Sequence, residues 1–98
     1  MLNFSKNSGL FAHLKNIVLF MSRKQKLLDK AKNNPKGLSF DEFETLLSLY
    51  DWIFDHQTGS HRIWYSTKKA RLSIQPAKNG KAKAYQVKQF LNLELEEK

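Results

Sequence analysis

His56 and His61 are the residues of this chain with the widest choice of chemistry, and they stand five positions apart around Gln57-Thr58-Gly59-Ser60. An imidazole changes charge near neutral pH, so it can take a proton, give one, or bind a metal. A zinc site asks for three or four ligands, and no third ligand of suitable spacing accompanies this pair. The chain also has no cysteine, so there is no thiolate to hold a metal. Ser60 and His61 are neighbours, and adjacent strand residues point to opposite faces, which disfavours a serine nucleophile served by that histidine. No glycine-rich phosphate loop of the P-loop pattern occurs. What is left is a histidine beside a Gly-Ser turn, suited to acid–base work with neither metal nor other cofactor. For an isolated histidine a structural role, a ring filling the edge of a sheet, is the commoner one.

The surroundings of His61 narrow the choice of substrate. Seventeen Lys and Arg against nine Asp and Glu leave a net charge of +8, which favours polyanionic partners. From His56 to Leu93 the chain carries Arg62, Lys68, Lys69, Arg71, Lys78, Lys81, Lys83 and Lys88 and no acid at all. Such a run is often no more than a solvated face. Here it is interleaved with Trp64, Tyr65 and Tyr85, and aromatic rings among cations are what unstacked bases bind. Contact with nucleic acid is therefore expected, with Lys68, Lys69, Lys81 and Lys83 as phosphate contacts.

The elements that must position these residues follow from periodicity. Ser22 to Asn33 reads as a short, mostly polar helix with Leu27, Leu28 and Ala31 at helical spacing, stopped by Asn33-Asn34-Pro35-Lys36-Gly37. Ser39-Phe40-Asp41-Glu42 fits a capping box, in which the serine hydroxyl and the glutamate carboxylate satisfy free amides of the first turn. A helix from Phe40 to about Leu49 follows, with Phe40, Phe43, Leu46, Leu47 and Tyr50 on its buried face. From Asp51 the period becomes two. Trp52, Phe54 and His56 alternate with Asp51, Ile53 and Asp55; Gln57-Thr58-Gly59-Ser60 supplies a turn; His61, Ile63 and Tyr65 alternate with Arg62, Trp64 and Ser66. If His56 and His61 sit opposite each other across that turn, one face carries Trp52, Phe54, Ile63 and Tyr65, the other pairs Asp55 with Arg62, and a slip of one residue reverses every assignment. Arg71 to Gln75 gives a third strand, closed by Pro76 to Gly80, and a last helix spans about Ala84 to Leu95, its apolar stripe being Val87, Phe90, Leu91 and Leu95. The order is an α+β domain, a three-stranded antiparallel sheet with helices packed on one face.

The first twenty residues differ from the rest, having Lys6 and Lys15, no acid and the apolar cluster Ile17-Val18-Leu19-Phe20. His13, Lys15 and Asn16 interrupt what a secretory signal needs as an apolar run of about 7 to 15 residues, and no run approaches the roughly 20 residues of a membrane span. Residues 1–20 read as an extension upstream of a natural start at Met21, with one domain over residues 21–98 and a cytoplasmic location.

The segment from Trp52 to Tyr65, with Gly59-Ser60-His61 at its centre, resembles the Gly-Ser-His signature of the HicA family of toxins. Ser39 to Leu49 is similar to the family's first core helix, Leu72 to Pro76 to its third strand, and Lys83 to Leu91 to the last helix of one subgroup. The likeness covers roughly residues 21 to 93. It implies a fold like a double-stranded-RNA-binding domain with an extra N-terminal helix, an endoribonuclease acting on messenger RNA, and neutralisation by a HicB-type antitoxin. It implies His61 as the catalytic residue, and Gly59 and Ser60 as the turn that brings backbone close to RNA. Arg62 and Tyr85 join the lysines as RNA contacts, and the expected antitoxin interface is Arg62, Trp64, Lys68 and Lys69. Many relatives carry Arg where this chain has His56, and many have a second His near Gln75 or Pro76, so the second acid–base group is open.

Two other readings compete. A non-catalytic double-stranded-RNA-binding module shares the fold and the basic face but has no need of His61. A small basic protein that only docks an acidic partner would use Trp64 and Tyr65 as anchors. Cleavage of RNA in excess chelator separates the first from an enzyme, and a HicB-like reading frame next to this one argues against the second.

Overall fold

A computed structural model describes residues 22–96; the expected extension over residues 1–20 and the start at Met21 lie outside them. Helix α1 (Arg23–Asn33) begins at Ser22, whose hydroxyl accepts the Gln25 amide at 3.1 Å, and buries Leu27, Leu28 and Ala31. Its polar remainder faces solvent, so tertiary packing of those three residues is what holds so short a helix in place. A 3₁₀ turn at Pro35–Gly37 leads to α2 (Phe40–Leu49). The expected capping box is complete: the Glu42 amide donates to Ser39 Oγ at 3.0 Å and the Ser39 amide to Glu42 Oε1 at 2.9 Å. Lys30 Nζ donates to the same carboxylate at 3.0 Å, tying α1 to the start of α2.

Helix α2 ends in a Schellman motif that removes Trp52 from the strand. The Trp52 amide donates to the Leu47 carbonyl and the Asp51 amide to Ser48, both at 3.0 Å, with Asp51 at φ 67° in the position glycine usually fills. Trp52 drops into the core, where its ring meets Phe90 edge-on at 5.8 Å and its indole N–H donates to Glu94 at 2.8 Å.

Three antiparallel strands follow in the order β1-β2-β3: β1 (Ile53–Thr58), β2 (His61–Tyr65) and β3 (Arg71–Ile74). The last helix, α3 (Ala84–Leu91), buries Gln86, Val87 and Phe90 and runs into a π-helical turn at Asn92–Glu96. Trp64, Leu72 and Ile74 share one core with Phe43, Leu46, Leu47, Val87 and Phe90, so the helices pack on one face of the sheet. The α+β architecture is as the sequence predicts. The α2-β1-β2-β3-α3 order is that of a double-stranded-RNA-binding domain, with α1 as an added N-terminal helix.

The register of the hairpin differs from expectation. Thr58 pairs with His61, Gln57 with Arg62 and His56 with Ile63, so the strands extend through Gln57 and Thr58, and Gly59-Ser60 alone form the loop. His56 and His61 are not opposite each other. Beyond His56 the pairing shifts by one, to Phe54 with Trp64 and Ile53 with Tyr65, which makes Asp55 the extra residue of a β-bulge. The bulge puts Phe54 on the helix side with Trp64 while His56 stays on the opposite side with Ile63. Strict alternation would have kept Phe54 and His56 on one face.

Candidate active site

The Gly59-Ser60 loop is what presents His61. Gly59 has φ +60° while Ser60 does not take a positive φ, the pattern of a type II′ turn, whose twist matches that of the flanking strands. A Cβ built on Gly59 meets nothing within 4 Å, so glycine is required here by backbone conformation and not by crowding. His61 follows as the first residue of β2, exposed, with no side-chain hydrogen bond among the described residues. It lies on the sheet face away from the helices, with Thr58 across the pair and buried Ile63 two positions on.

The strand directions sort the basic candidates by distance from this histidine. Strand β3 runs antiparallel to β2 and ends opposite Arg62, so the connection from Gln75 to α3 leaves the sheet at the His61 end. Lys81, Lys83 and Tyr85 lie on that connection and the first turn of α3. Lys81 and Lys83 are half-buried and Tyr85 is 60% exposed. Buried Gln86 fixes α3 there: its side-chain oxygen accepts the Gln75 amide at 3.1 Å, and its amide group donates to the Tyr85 hydroxyl at 3.3 Å. Lys68 and Lys69, both exposed, sit in the β2–β3 loop at the opposite end of β2, with Lys69 at φ 70°. The sheet therefore does not bring all four lysines to one site.

Arg62 and Trp64 have other occupations. The Arg62 guanidinium is on the helix side of the sheet, paired through Nε with the Glu44 carboxylate, donating from Nη1 to Gln57 at 2.8 Å, and stacked 4.2 Å over the Phe54 ring. The Trp64 indole N–H donates to the same Glu44 carboxylate at 3.0 Å, and the ring is 5% exposed. Trp64 is thus a core residue in this structure. The groove lined by Glu44, Phe54, Arg62 and Trp64 is on this side too, away from His61. Tyr65 is half-buried on the His61 face, across from Arg71, and Tyr85 is exposed on the first turn of α3.

Two features of the site escape the sequence reading. Glu44 is one, since nothing in its spacing from Arg62 marks an ion pair between a helix and a strand. The other is the Asp55–His56 pair, in which His56 Nδ1 lies 2.6 Å from Asp55 Oδ2 with both side chains about half exposed. The local signal was an acid next to a histidine, which gains meaning only through the bulge. No group of three or more His, Asp or Glu side chains able to hold a metal occurs among the described residues, and no helix there is long and apolar enough to cross a membrane.

Fold and site together define a small α+β protein that presents an exposed histidine from a Gly-Ser turn, at the end of the sheet from which the connection carrying Lys81 and Lys83 leaves. Residues 40–94 match the family described as HicA toxin of bacterial toxin-antitoxin, and the chain belongs to that family. It is a toxin of a toxin–antitoxin system, with a cognate antitoxin as partner. The match starts with α2, so α1 lies outside it. No curated protein and no solved structure matches the chain.

Proposed function

We infer that this toxin is a metal-independent endoribonuclease that cleaves messenger RNA in the cytoplasm with His61 as its acid–base residue, and that a HicB-type antitoxin silences it. The observation that carries this reading is the placement of His61. It stands exposed behind the Gly59 turn, on the sheet face away from the helices, at the end from which the connection carrying Lys81, Lys83 and Tyr85 leaves the sheet. A phosphodiester chain can lie across such an end with cations on its phosphates and a ring under a base. His61 then takes the proton of a ribose 2′-hydroxyl, whose oxygen attacks the adjacent phosphorus and displaces the 5′-oxygen, leaving a cyclic phosphate. DNA has no such hydroxyl and is spared.

Gly59 and Ser60 serve by letting backbone approach the strand being cut. Arg62 contributes through the position of β2, since its charge is met by Glu44. The antitoxin covers the His61 face with acidic or hydrogen-bonding groups, and the exposed Lys68 and Lys69 extend that surface to the far end of the sheet. The non-catalytic double-stranded-RNA-binding reading is favoured by one observation, the shared α2-β1-β2-β3-α3 order. Incubating purified protein with RNA in excess chelator decides between them: the enzyme yields cyclic-phosphate ends, whereas the binding module leaves RNA intact. Co-expression with the adjacent reading frame tests the partner, since relief of growth arrest is expected.

A further inference from the structure

We propose that His56, oriented by Asp55, is the second acid–base group of the active site and delivers the proton to the leaving 5′-oxygen. This rests on the reading of His61 above. Because His56 pairs with Ile63 and His61 precedes Ile63 by two, the two histidines are diagonal neighbours on one face of the β1–β2 hairpin. Such positions are about 7 to 8 Å apart between Cα atoms, close enough for two exposed rings to bracket one phosphodiester. Both are exposed, with buried Ile63 paired to His56 and two residues on from His61.

The bulge at Asp55 is what makes the pair usable. In regular alternation Asp55 and His56 would point to opposite faces, and a side-chain bond between them would be remote. With Asp55 as the extra residue, its carboxylate reaches His56 Nδ1 at 2.6 Å. A carboxylate on Nδ1 fixes the ring and its tautomer and leaves Nε2 as the atom that exchanges protons. Bulges commonly re-aim a side chain beside an active site, and this one keeps Phe54 in the Arg62–Trp64 cluster while turning His56 toward the His61 face.

The step balances as follows. His61 accepts the 2′-hydroxyl proton; the 2′-oxygen forms its bond to phosphorus while the bond from phosphorus to the 5′-oxygen breaks; the proton on His56 Nε2 passes to that oxygen. The products are a 2′,3′-cyclic phosphate and a 5′-hydroxyl, with the proton exchanged between the two rings through solvent before the next turnover. Among the described residues, the titratable and charged groups on this face besides His56 are Asp55 on β1, His61 and Tyr65 on β2 and Arg71 on β3, and β2 is the strand paired with β1.

The test uses the full chain, a ribonucleotide substrate with its ordinary 5′-oxygen, and the same substrate with a bridging 5′-sulfur, a leaving group that departs without a proton. His56→Ala and His56→Gln are expected to cleave the oxygen substrate roughly 10²–10⁴-fold more slowly than wild type. They should also lose the alkaline limb of the pH profile and recover to within about tenfold of wild type on the sulfur substrate. Asp55→Asn should show the same pattern with a smaller loss, and His61→Ala should be slow on both substrates. Normal cleavage of the oxygen substrate by His56→Ala, or a loss that sulfur does not relieve while RNA binding is retained, overturns the assignment but leaves His61 standing. A wild-type protein that cleaves neither substrate overturns both.

Discussion

Removing the Glu44 carboxylate should destabilise the domain, because two donors on β2 depend on it. Glu44 accepts from Arg62 and from the Trp64 indole, and its side chain is 18% exposed against 29% for Arg62. In Glu44→Ala the Trp64 N–H, on a ring that is 5% exposed, loses its acceptor; an unsatisfied buried donor costs about 1 to 3 kcal/mol. Arg62 loses its charged partner but keeps Gln57 and the Phe54 ring, and water compensates part of the loss, so about 1 kcal/mol is assigned to it. The sum is about 2 to 4 kcal/mol, which for a domain of this size lowers Tm by on the order of 10 to 30 °C. Glu44→Gln retains one acceptor oxygen and should lose about half as much. Thermal and urea unfolding of Glu44→Ala, Arg62→Ala and the double variant provide the assay, with a coupling energy of about 1 kcal/mol expected between neighbours in one network. A Glu44→Ala protein within about 0.5 kcal/mol of wild type, or strictly additive losses, would refute the reasoning.

Other outcomes follow from the same structure. Ser39→Ala should cost about 1 kcal/mol by removing the α2 cap, measured by denaturant unfolding. Glu42 is held below its ordinary value of 4.5, first by the Ser39 backbone amide and then by Lys30. Its contribution to stability is therefore full above that value and is lost as pH falls through the lowered folded-state value; Glu42→Gln should flatten this acid part of a Tm-against-pH curve. Gly59→Ala should cost about 1 to 2 kcal/mol from its positive φ alone, with no clash, and should slow RNA cleavage through the displaced His61. Lys83→Glu and Lys81→Glu should weaken RNA binding and each lower the salt slope by roughly one, while Lys68→Glu and Lys69→Glu, at the far end of β2, should affect it less.

The helices and the presence of a hairpin were legible in the sequence because local signals carry them. The Ser39-Glu42 box, the apolar spacing of Phe43, Leu46 and Leu47, and the Gly-Ser turn each act within a few residues. The hairpin's register was not legible. Nothing in Trp52-Ile53-Phe54-Asp55-His56 marks Asp55 as a bulge or removes Trp52 from the strand, since both depend on what Trp52, Phe54 and Trp64 find in the core. For the same reason Trp64 reads in sequence as a surface aromatic among cations, whereas Glu44, brought from α2, gives its indole a buried acceptor. His61 was legible as a candidate from its turn and its basic neighbourhood. Its relation to His56 was not, because it is a diagonal across a register that only the folded sheet sets.

The central claim, that His61 performs the chemistry, is tested most directly by single-turnover cleavage of RNA in excess chelator by wild type and His61→Ala. The wild-type protein should release 2′,3′-cyclic phosphate ends from RNA and none from DNA. His61→Ala should remain folded and bind RNA and antitoxin, yet cleave roughly 10²–10⁴-fold more slowly and no longer arrest growth. Wild-type cleavage by His61→Ala under those conditions would contradict the claim.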